Sequence, residues 1–222
     1  MAEPVPIFAL DGVFFAYPEG RPLFEDLHFA LRDGESIGLM APNGSGKTTL
    51  LRLIMGLERP LSGRVLLRGA PVADARAWRD LRRKVGVTLQ AADDQLFCPT
   101  VLEDVAFGPL NLGLDRDAAR DAAQEALRLL GLAGFEQRLT HKLSGGEKKM
   151  VALASVLSMH PEALLLDEPA AGLDQAAEKR LADVLKEFPA ARLVISHDRA
   201  FLRETVSRAL TIADGRLEPV TL

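Results

Sequence analysis

Residues 41–48 read Ala41-Pro42-Asn43-Gly44-Ser45-Gly46-Lys47-Thr48. A short apolar run, Ser36–Met40, precedes them. A helical pattern, Thr48–Met55, follows and stops at Gly56. Strand, glycine-rich loop and helix in that order make a phosphate cradle. Backbone N–H groups converge on phosphate oxygens, and the helix N-terminus adds a positive field. Lys47 is placed to reach the outer phosphates and Thr48 to hold Mg²⁺. Asn43, Gly44, Ser45, Gly46 and Thr49 complete the expected nucleotide-binding set. The usual pattern begins with Gly where this chain has Ala41, a change that costs little at negative φ and more at positive φ. Taken alone, the run also reads as a Gly-rich turn with a chance Lys-Thr pair; the flanking strand and helix favour the cradle.

A second signal lies at Ala163-Leu164-Leu165-Leu166-Asp167-Glu168-Pro169, an apolar strand ending in two carboxylates. Open α/β sheets bind ligands at the C-terminal edge of their strands. There Asp167 would join the Mg²⁺ shell and Glu168 would take a proton from an attacking water. Alone, this is a strand with an acidic turn; beside the phosphate loop it reads as a catalytic edge.

Around these motifs the pattern is α/β. Ile7–Tyr17 and Leu23–Leu31 read as strands flanking a turn at Pro18–Pro22. Pro60–Gly63 reads as a turn and Arg64–Leu67 as a strand. A polar helix around Trp78–Lys84 leads to a strand, Val85–Leu89. From Thr100 to Leu132 the pattern is helical: Asp115 is a plausible N-cap, Ala118, Ala122, Ala126 and Leu129 recur at helical spacing, and Gly131 is the stop. Ser144–Met159 and Gln175–Phe188 read as helices and Arg192–Ser196 as a strand. A helix at Asp198–Thr205 and a hairpin, Arg208–Leu217, turned at Asp214-Gly215, close the chain. No repeat or linker is visible. The expected fold class is α/β: a parallel-sheet core with a helical insertion between about Gln90 and Leu143.

Leu143-Ser144-Gly145-Gly146-Glu147 lies between the two carboxylate and phosphate motifs. Read by itself it is a helix start: Ser144 caps, Glu147 at N3 closes a capping box, and Gly145 and Gly146 expose N–H groups to an anion. At this point the chain resembles the ATP-binding-cassette (ABC) ATPases, whose signature is Leu-Ser-Gly-Gly-Gln/Glu. The resemblance runs from Tyr17 to the end. It implies a P-loop ATPase core with an N-terminal antiparallel β subdomain, residues 1–89 and 144–222, and a helical signature subdomain, about 90–143, within one nucleotide-binding domain. It implies ATP and Mg²⁺ as ligands. It further implies that Ser144, Gly145, Gly146 and Glu147 act in trans on the γ-phosphate held by a second subunit, so that two copies sandwich two ATP molecules. Tyr17, otherwise a strand-end aromatic, takes the role of stacking on adenine. The resemblance likewise implies that Gln90 touches Mg²⁺ and water, that Asp174 belongs to the loop that crosses the dimer interface, and that His197, otherwise a polar residue after a strand, bonds the γ-phosphate. Met150 stands where an arginine often follows the signature, and Ala170 and Gln175 where Thr and Pro are common. Lys148-Lys149 and Arg82-Arg83-Lys84 read as solvated helix faces.

After Gln90 come Asp93-Asp94-Gln95-Leu96-Phe97, Pro99-Thr100-Val101 and Glu103-Asp104-Val105-Ala106-Phe107-Gly108-Pro109. These runs resemble the energy-coupling-factor branch of the ABC importers, which takes up cobalt, nickel and vitamins such as biotin. The run Phe107–Gly113 is similar to cobalt/nickel importers, although vitamin systems share it. The resemblance implies integral membrane partners and a substrate-capture membrane protein. Asp94, Gln95, Leu96 and Phe97 are the expected coupling contacts. Leu96, Phe97, Val101 and Phe107 would form an apolar patch for a partner helix; packed into the chain's own core, they would instead be structural. One chain carries every motif, so a homodimer suffices; a paralogue heterodimer is the alternative.

The 222 residues are 48% hydrophobic with a net charge of −4, which supports a sizeable core and gives no general attraction to nucleic acid. The single cysteine, Cys98, has no disulfide partner in the chain and reads as a small apolar filler in a reducing compartment. The longest weakly polar run, Met150–Met159, is about half of the ~20 residues a bilayer crossing needs, and the N-terminus lacks signal-peptide features. The expectation is a peripheral protein on the cytoplasmic face of the membrane, held there by partners. A two-cassette repair or translation factor, a regulatory subunit with a dead site, and a lipid or peptide exporter ATPase all fit these motifs less well.

Overall fold

The computed structural model describes residues 4–18, 20–89 and 95–222. Gln90, Asp93 and Asp94, named above, lie outside the described residues. Two sheets form. The strands β1 (Phe8–Ala16), β2 (Pro22–Leu31), β4 (Ser62–Leu67) and β5 (Ala70–Pro71) pair antiparallel in the order β2-β1-β4-β5. The second sheet has the order β10-β9-β3-β8-β7-β6, from β3 (Ser36–Leu39), β6 (Val85–Thr88), β7 (Ala163–Asp167), β8 (Ala191–Ile195), β9 (Arg208–Ala213) and β10 (Arg216–Val220). All its neighbours run parallel except the β9–β10 hairpin.

The helices are α1 (Lys47–Met55), α2 (Ala75–Lys84), α3 (Val101–Asn111), α4 (Arg116–Leu129), α5 (Gly145–Leu157), α6 (Gln175–Glu187) and α7 (Arg199–Thr205). The parallel strands read as unbroken apolar runs because both their faces are covered. Along β7, Ala163 and Leu165 join a core with α1 and the antiparallel sheet. Leu164 and Leu166 point the other way, into a core shared with α3, α4, α5, α6 and α7.

Several expectations change. The helical stretch from Thr100 is two helices: α3 ends at Asn111, Gly113 takes φ 98°, and Asp115 caps α4 through the Ala118 N–H. The buried face of α4 is Ala119, Ala123, Ala126 and Leu127, with Leu130 beyond its end. Ala118 and Leu129 face solvent. The expected turn at Pro60–Gly63 gives way early to β4, which starts at Ser62. There Gly63 lies so close to the Gly12 carbonyl that an added Cβ would sit 2.2 Å from its oxygen. Only a glycine lets β4 approach the irregular stretch of β1 this closely. Met150 is buried in the second core, where an arginine would have to bury its charge.

On the basic helix α2 Arg82 and Arg83 stay exposed, as expected, while two of its cations also find partners. Arg82 Nε donates to the Met55 carbonyl at 3.0 Å, and Lys84 pairs with Glu162. Arg68 joins that pair from the β4–β5 turn, donating to both Asp33 and Glu162. The two sheets are thus bridged by charge as well as by apolar packing.

Candidate functional site

The loop between β3 and α1 carries the phosphate motif at the C-terminal edge of the parallel sheet. Ala41 is buried and lies outside the left-handed region, so the missing glycine costs little there. Gly46 caps α1 at φ 104°, and a Cβ on it would lie 2.8 Å from Phe24 Cζ. No side chain caps the first turn of α1, so its N–H groups stay available to an anion. Lys47 Nζ is held over the loop by the Ala41 and Pro42 carbonyls, at 2.7 and 2.8 Å.

The other expected groups converge on this loop. Tyr17, Asn43, Gly44, Lys47, Thr48, Thr49, Asp167, Glu168 and His197 line one cleft of about 640 Å³, joined by Arg21, which no sequence signal marked. The Tyr17 hydroxyl bonds Thr49 Oγ1 at 3.0 Å, and its ring meets Phe15 edge-on at 5.0 Å. The β7–β8 register pairs Asp167 with Ile195, so the residues just beyond, Glu168, Ser196 and His197, meet at the sheet edge. Ser196 Oγ is 3.5 Å from Glu168 Oε2, and His197 Nε2 is 3.6 Å from Glu168 Oε1.

Glu168 has φ 48°, a left-handed backbone rare for its residue type. Burial, then the Glu168 charge, pushes the Asp167 carboxyl above its ordinary pKa; Lys47, Lys149 and His197 oppose this. Burial lowers the Lys47 pKa against the pull of the same two carboxylates. A divalent cation fits this site. Asp167 and Thr48 supply oxygen ligands in one cleft, and a cation would favour the ionised Asp167 that burial disfavours. Of the three buried side-chain oxygens without a hydrogen-bond partner among the described residues, two belong here, Ser45 Oγ beside the cradle and Glu168 Oε1. They suit a phosphate oxygen and a water respectively.

The signature faces elsewhere. Ser144 and Glu147 form the expected capping box, and Arg138 also holds Glu147, so its carboxyl lies below the usual range, chiefly through the Ser144 N–H. Asp174 caps α6 through the Ala177 N–H. Ser144, Gly145, Gly146 and Asp174 line a second cleft of about 840 Å³, and an added Cβ on Gly145 would meet nothing within 4 Å. Among the described residues, Ala171 alone lines both clefts. Lys149, expected to be solvated, is half-buried at their junction, donating to the carbonyls of Glu168 and Ala171 at 2.9 and 2.7 Å.

A third cleft, about 710 Å³, opens between α2, β6 and α3. Phe97 and Phe107 pack edge-on at 4.7 Å on its rim and stay exposed. The expected patch is smaller than the sequence suggests: Leu96 is half-buried and Val101 fully buried. Gln95 is a strap rather than an open contact. Its side chain accepts from the Leu89 N–H and donates to the Val87 carbonyl, taking the place of a neighbouring strand on the edge of β6. The buried Asp104 carboxylate accepts from the N–H groups of Phe97 and Cys98 and so fixes Phe97 on the surface. Cys98 is half-buried beside it, and burial pushes its thiol pKa up, away from reactivity.

The family model described as ABC transporter matches residues 24–171. This chain belongs to the ABC transporter family. Over 216 residues it is 45% identical to the cobalt import ATP-binding protein CbiO of Rhodobacter capsulatus, spanning 96% of this chain and 77% of the relative. It is 39% identical over 209 residues to the energy-coupling factor transporter ATP-binding protein EcfA of Methanocaldococcus jannaschii, spanning 92% of this chain and 75% of that one. The solved structure of cbiO1 from Clostridium perfringens, described as part of the ABC transporter complex cbiONQ, superposes with a TM-score of 0.85 at 31% identity. That match covers 96% of this chain and 87% of the other. The two-sheet α/β architecture with its helices is therefore the ABC ATPase fold. This ABC ATPase binds and hydrolyses ATP as the ATPase subunit of a transporter. Among the described residues, no helix is long and apolar enough to cross a membrane.

Proposed function

We propose that this ABC ATPase powers an energy-coupling-factor importer of cobalt or nickel ions, as a two-site dimer on the cytoplasmic face of the membrane. The observation that carries the reading is the third cleft, with Phe97 and Phe107 exposed on its rim beside the strapped segment that starts at Gln95. It suits an apolar helix of a membrane subunit. The likeness to CbiO and to EcfA supports the branch.

In this reading ATP lies in the first cleft, on the cradle of α1, with its adenine on Tyr17. Thr48, Asp167 and Gln90 would hold Mg²⁺, which would neutralise charge on the transferring phosphoryl group. Glu168 accepts the proton of the attacking water; its buried Oε1, which makes no hydrogen bond and lies 3.6 Å from His197 Nε2, is the acceptor. His197, whose Nε2 is 3.6 Å from Glu168 Oε1, would contact the γ-phosphate. Ser144 to Glu147 serve the site of a second copy, because in one chain they line a different cleft from Lys47. Gln95 holds the Leu89 N–H and the Val87 carbonyl, and Leu89 precedes Gln90 in the sequence, so movement of a helix seated on Phe97 reaches the residue before Gln90 through few bonds.

Co-purification with the membrane subunits of the system, followed by uptake in proteoliposomes, tests the assignment. ATP-dependent uptake of Co²⁺ or Ni²⁺ is the expected result. Uptake of biotin or another vitamin instead would move the chain to the vitamin importers, and failure to assemble with such subunits would overturn the branch.

A further inference from the structure

Lys149 lies five residues after Ser144 on the signature helix α5, yet it is half-buried and its ammonium is tied to main-chain carbonyls. It donates to the carbonyl of Glu168 at 2.9 Å and to that of Ala171 at 2.7 Å. These two residues bound a tight turn, closed by the Ala171 N–H on the Glu168 carbonyl at 3.2 Å and begun by the left-handed Glu168. A non-glycine residue in that conformation persists when surrounding contacts hold it. Here the Ile195 carbonyl fixes the Glu168 N–H, and Lys149 fixes the other side of the peptide chain. Ala171 lines both the nucleotide cleft and the signature cleft.

We propose that Lys149 is a positioning residue that couples the two ATP sites of the dimer. It ties the helix that each subunit lends to its partner's nucleotide to the turn that holds its own Glu168. The inference rests on the sandwich reading given above. When the α5 N-terminus is drawn to a γ-phosphate across the interface, Lys149 carries that displacement to Ala171 and Glu168 in its own subunit. The linkage is reciprocal, so the state of one site is felt at the signature presented to the other. Burial lowers the Lys149 pKa while the Glu168 and Asp167 charges raise it. A charged donor on two carbonyls is a stronger tie than a neutral one.

Mixed dimers of one wild-type chain and one Glu168→Gln chain, isolated through two different affinity tags, test this. Their hydrolysing site combines the wild-type Glu168 with the signature of the other chain. Adding Lys149→Met to the Glu168→Gln chain leaves the catalytic Glu168 and its own Lys149 untouched. It keeps the aliphatic stem and deletes the donor. Coupling predicts that kcat at the wild-type site falls about fivefold or more with KM little changed. It also predicts that Lys149→Arg in the same place restores most of the rate. If the Met chain melts early, Lys149→Gln replaces it. An unchanged kcat in a well-folded mixed dimer overturns the inference and leaves Lys149 a local brace. Failure of Glu168→Gln chains to associate with ATP would overturn the sandwich reading itself, and the coupling with it.

Discussion

His197 Nε2 stands 3.6 Å from Glu168 Oε1, and the β7–β8 register puts it there. Asp167 pairs with Ile195 in adjacent parallel strands, so the two loops that follow leave the sheet side by side. The contact needs no local sequence relationship, because the sheet order supplies it. A group held at a fixed point near developing charge acts on the chemical step more than on binding. His197→Ala should therefore lower kcat by about 10²-fold while the affinity for ATP, measured by titration, stays near that of the wild type. Equal losses in affinity and turnover would place His197 outside the chemistry.

Gly46 is the position in the cradle least able to carry a side chain. Its φ of 104° and the 2.8 Å approach to Phe24 Cζ both oppose a Cβ. Gly46→Ala should cost about 1–3 kcal/mol of stability and abolish nucleotide binding by opening the loop. Thermal melts with and without ATP check this: the variant should melt early and gain nothing from ATP.

Phe97 is 65% exposed, so its truncation should leave the fold nearly intact. Phe97→Ala should change stability by less than about 1 kcal/mol, against about 3–5 for a buried phenylalanine. The isolated subunit should still hydrolyse ATP, and capture of the membrane subunits in a pull-down should fall. A large loss of melting temperature would mean that Phe97 belongs to the core.

Asp104 gives a pH test of the anchor beneath Phe97. Burial raises its pKa, and the N–H groups of Cys98 and Phe97 offset this in part. A carboxyl raised in the folded state stabilises most when protonated, below its unfolded value. It loses that contribution as pH rises through the folded value. Asp104→Asn carries no charge at either end of that window. The stability of the wild type minus that of Asp104→Asn should thus fall as pH rises above the ordinary carboxylate range, as read by urea unfolding. A difference that rises with pH would reverse the sign assigned to Asp104.

The motifs that sequence reading found are contiguous runs whose residue types carry their chemistry: Gly44–Thr48, Leu164–Glu168, Ser144–Glu147. What escaped it depends on partners without a residue signature. Lys149 bonds main-chain carbonyls 19 and 22 positions away, and any residue type can offer a carbonyl. Asp104 stands beside Glu103 in the first turn of α3, and the two look alike in sequence. Yet Glu103 closes a capping box with Thr100 while Asp104 turns inward. On α4 the expected Ala126 is buried, but Ala119 and Ala123 take the place of Ala118 and Ala122, because Asp117-Ala118-Ala119-Arg120-Asp121-Ala122-Ala123 offers two equal alanine stripes and contact with α3 and α5 chooses between them. The role of Gln95 was hidden because a side-chain amide that imitates a strand cannot be told from an exposed one without the edge it binds.

The separation of Lys47 and Ser144 into two clefts of one chain makes ATP-driven pairing the central claim. Light scattering of Glu168→Gln with Mg²⁺ tests it most directly, because that variant should bind ATP without consuming it. The γ-phosphate supplies the differential affinity, so the mass should double with ATP and stay monomeric with ADP. Equal masses with the two nucleotides, at concentrations that saturate both, would contradict the account.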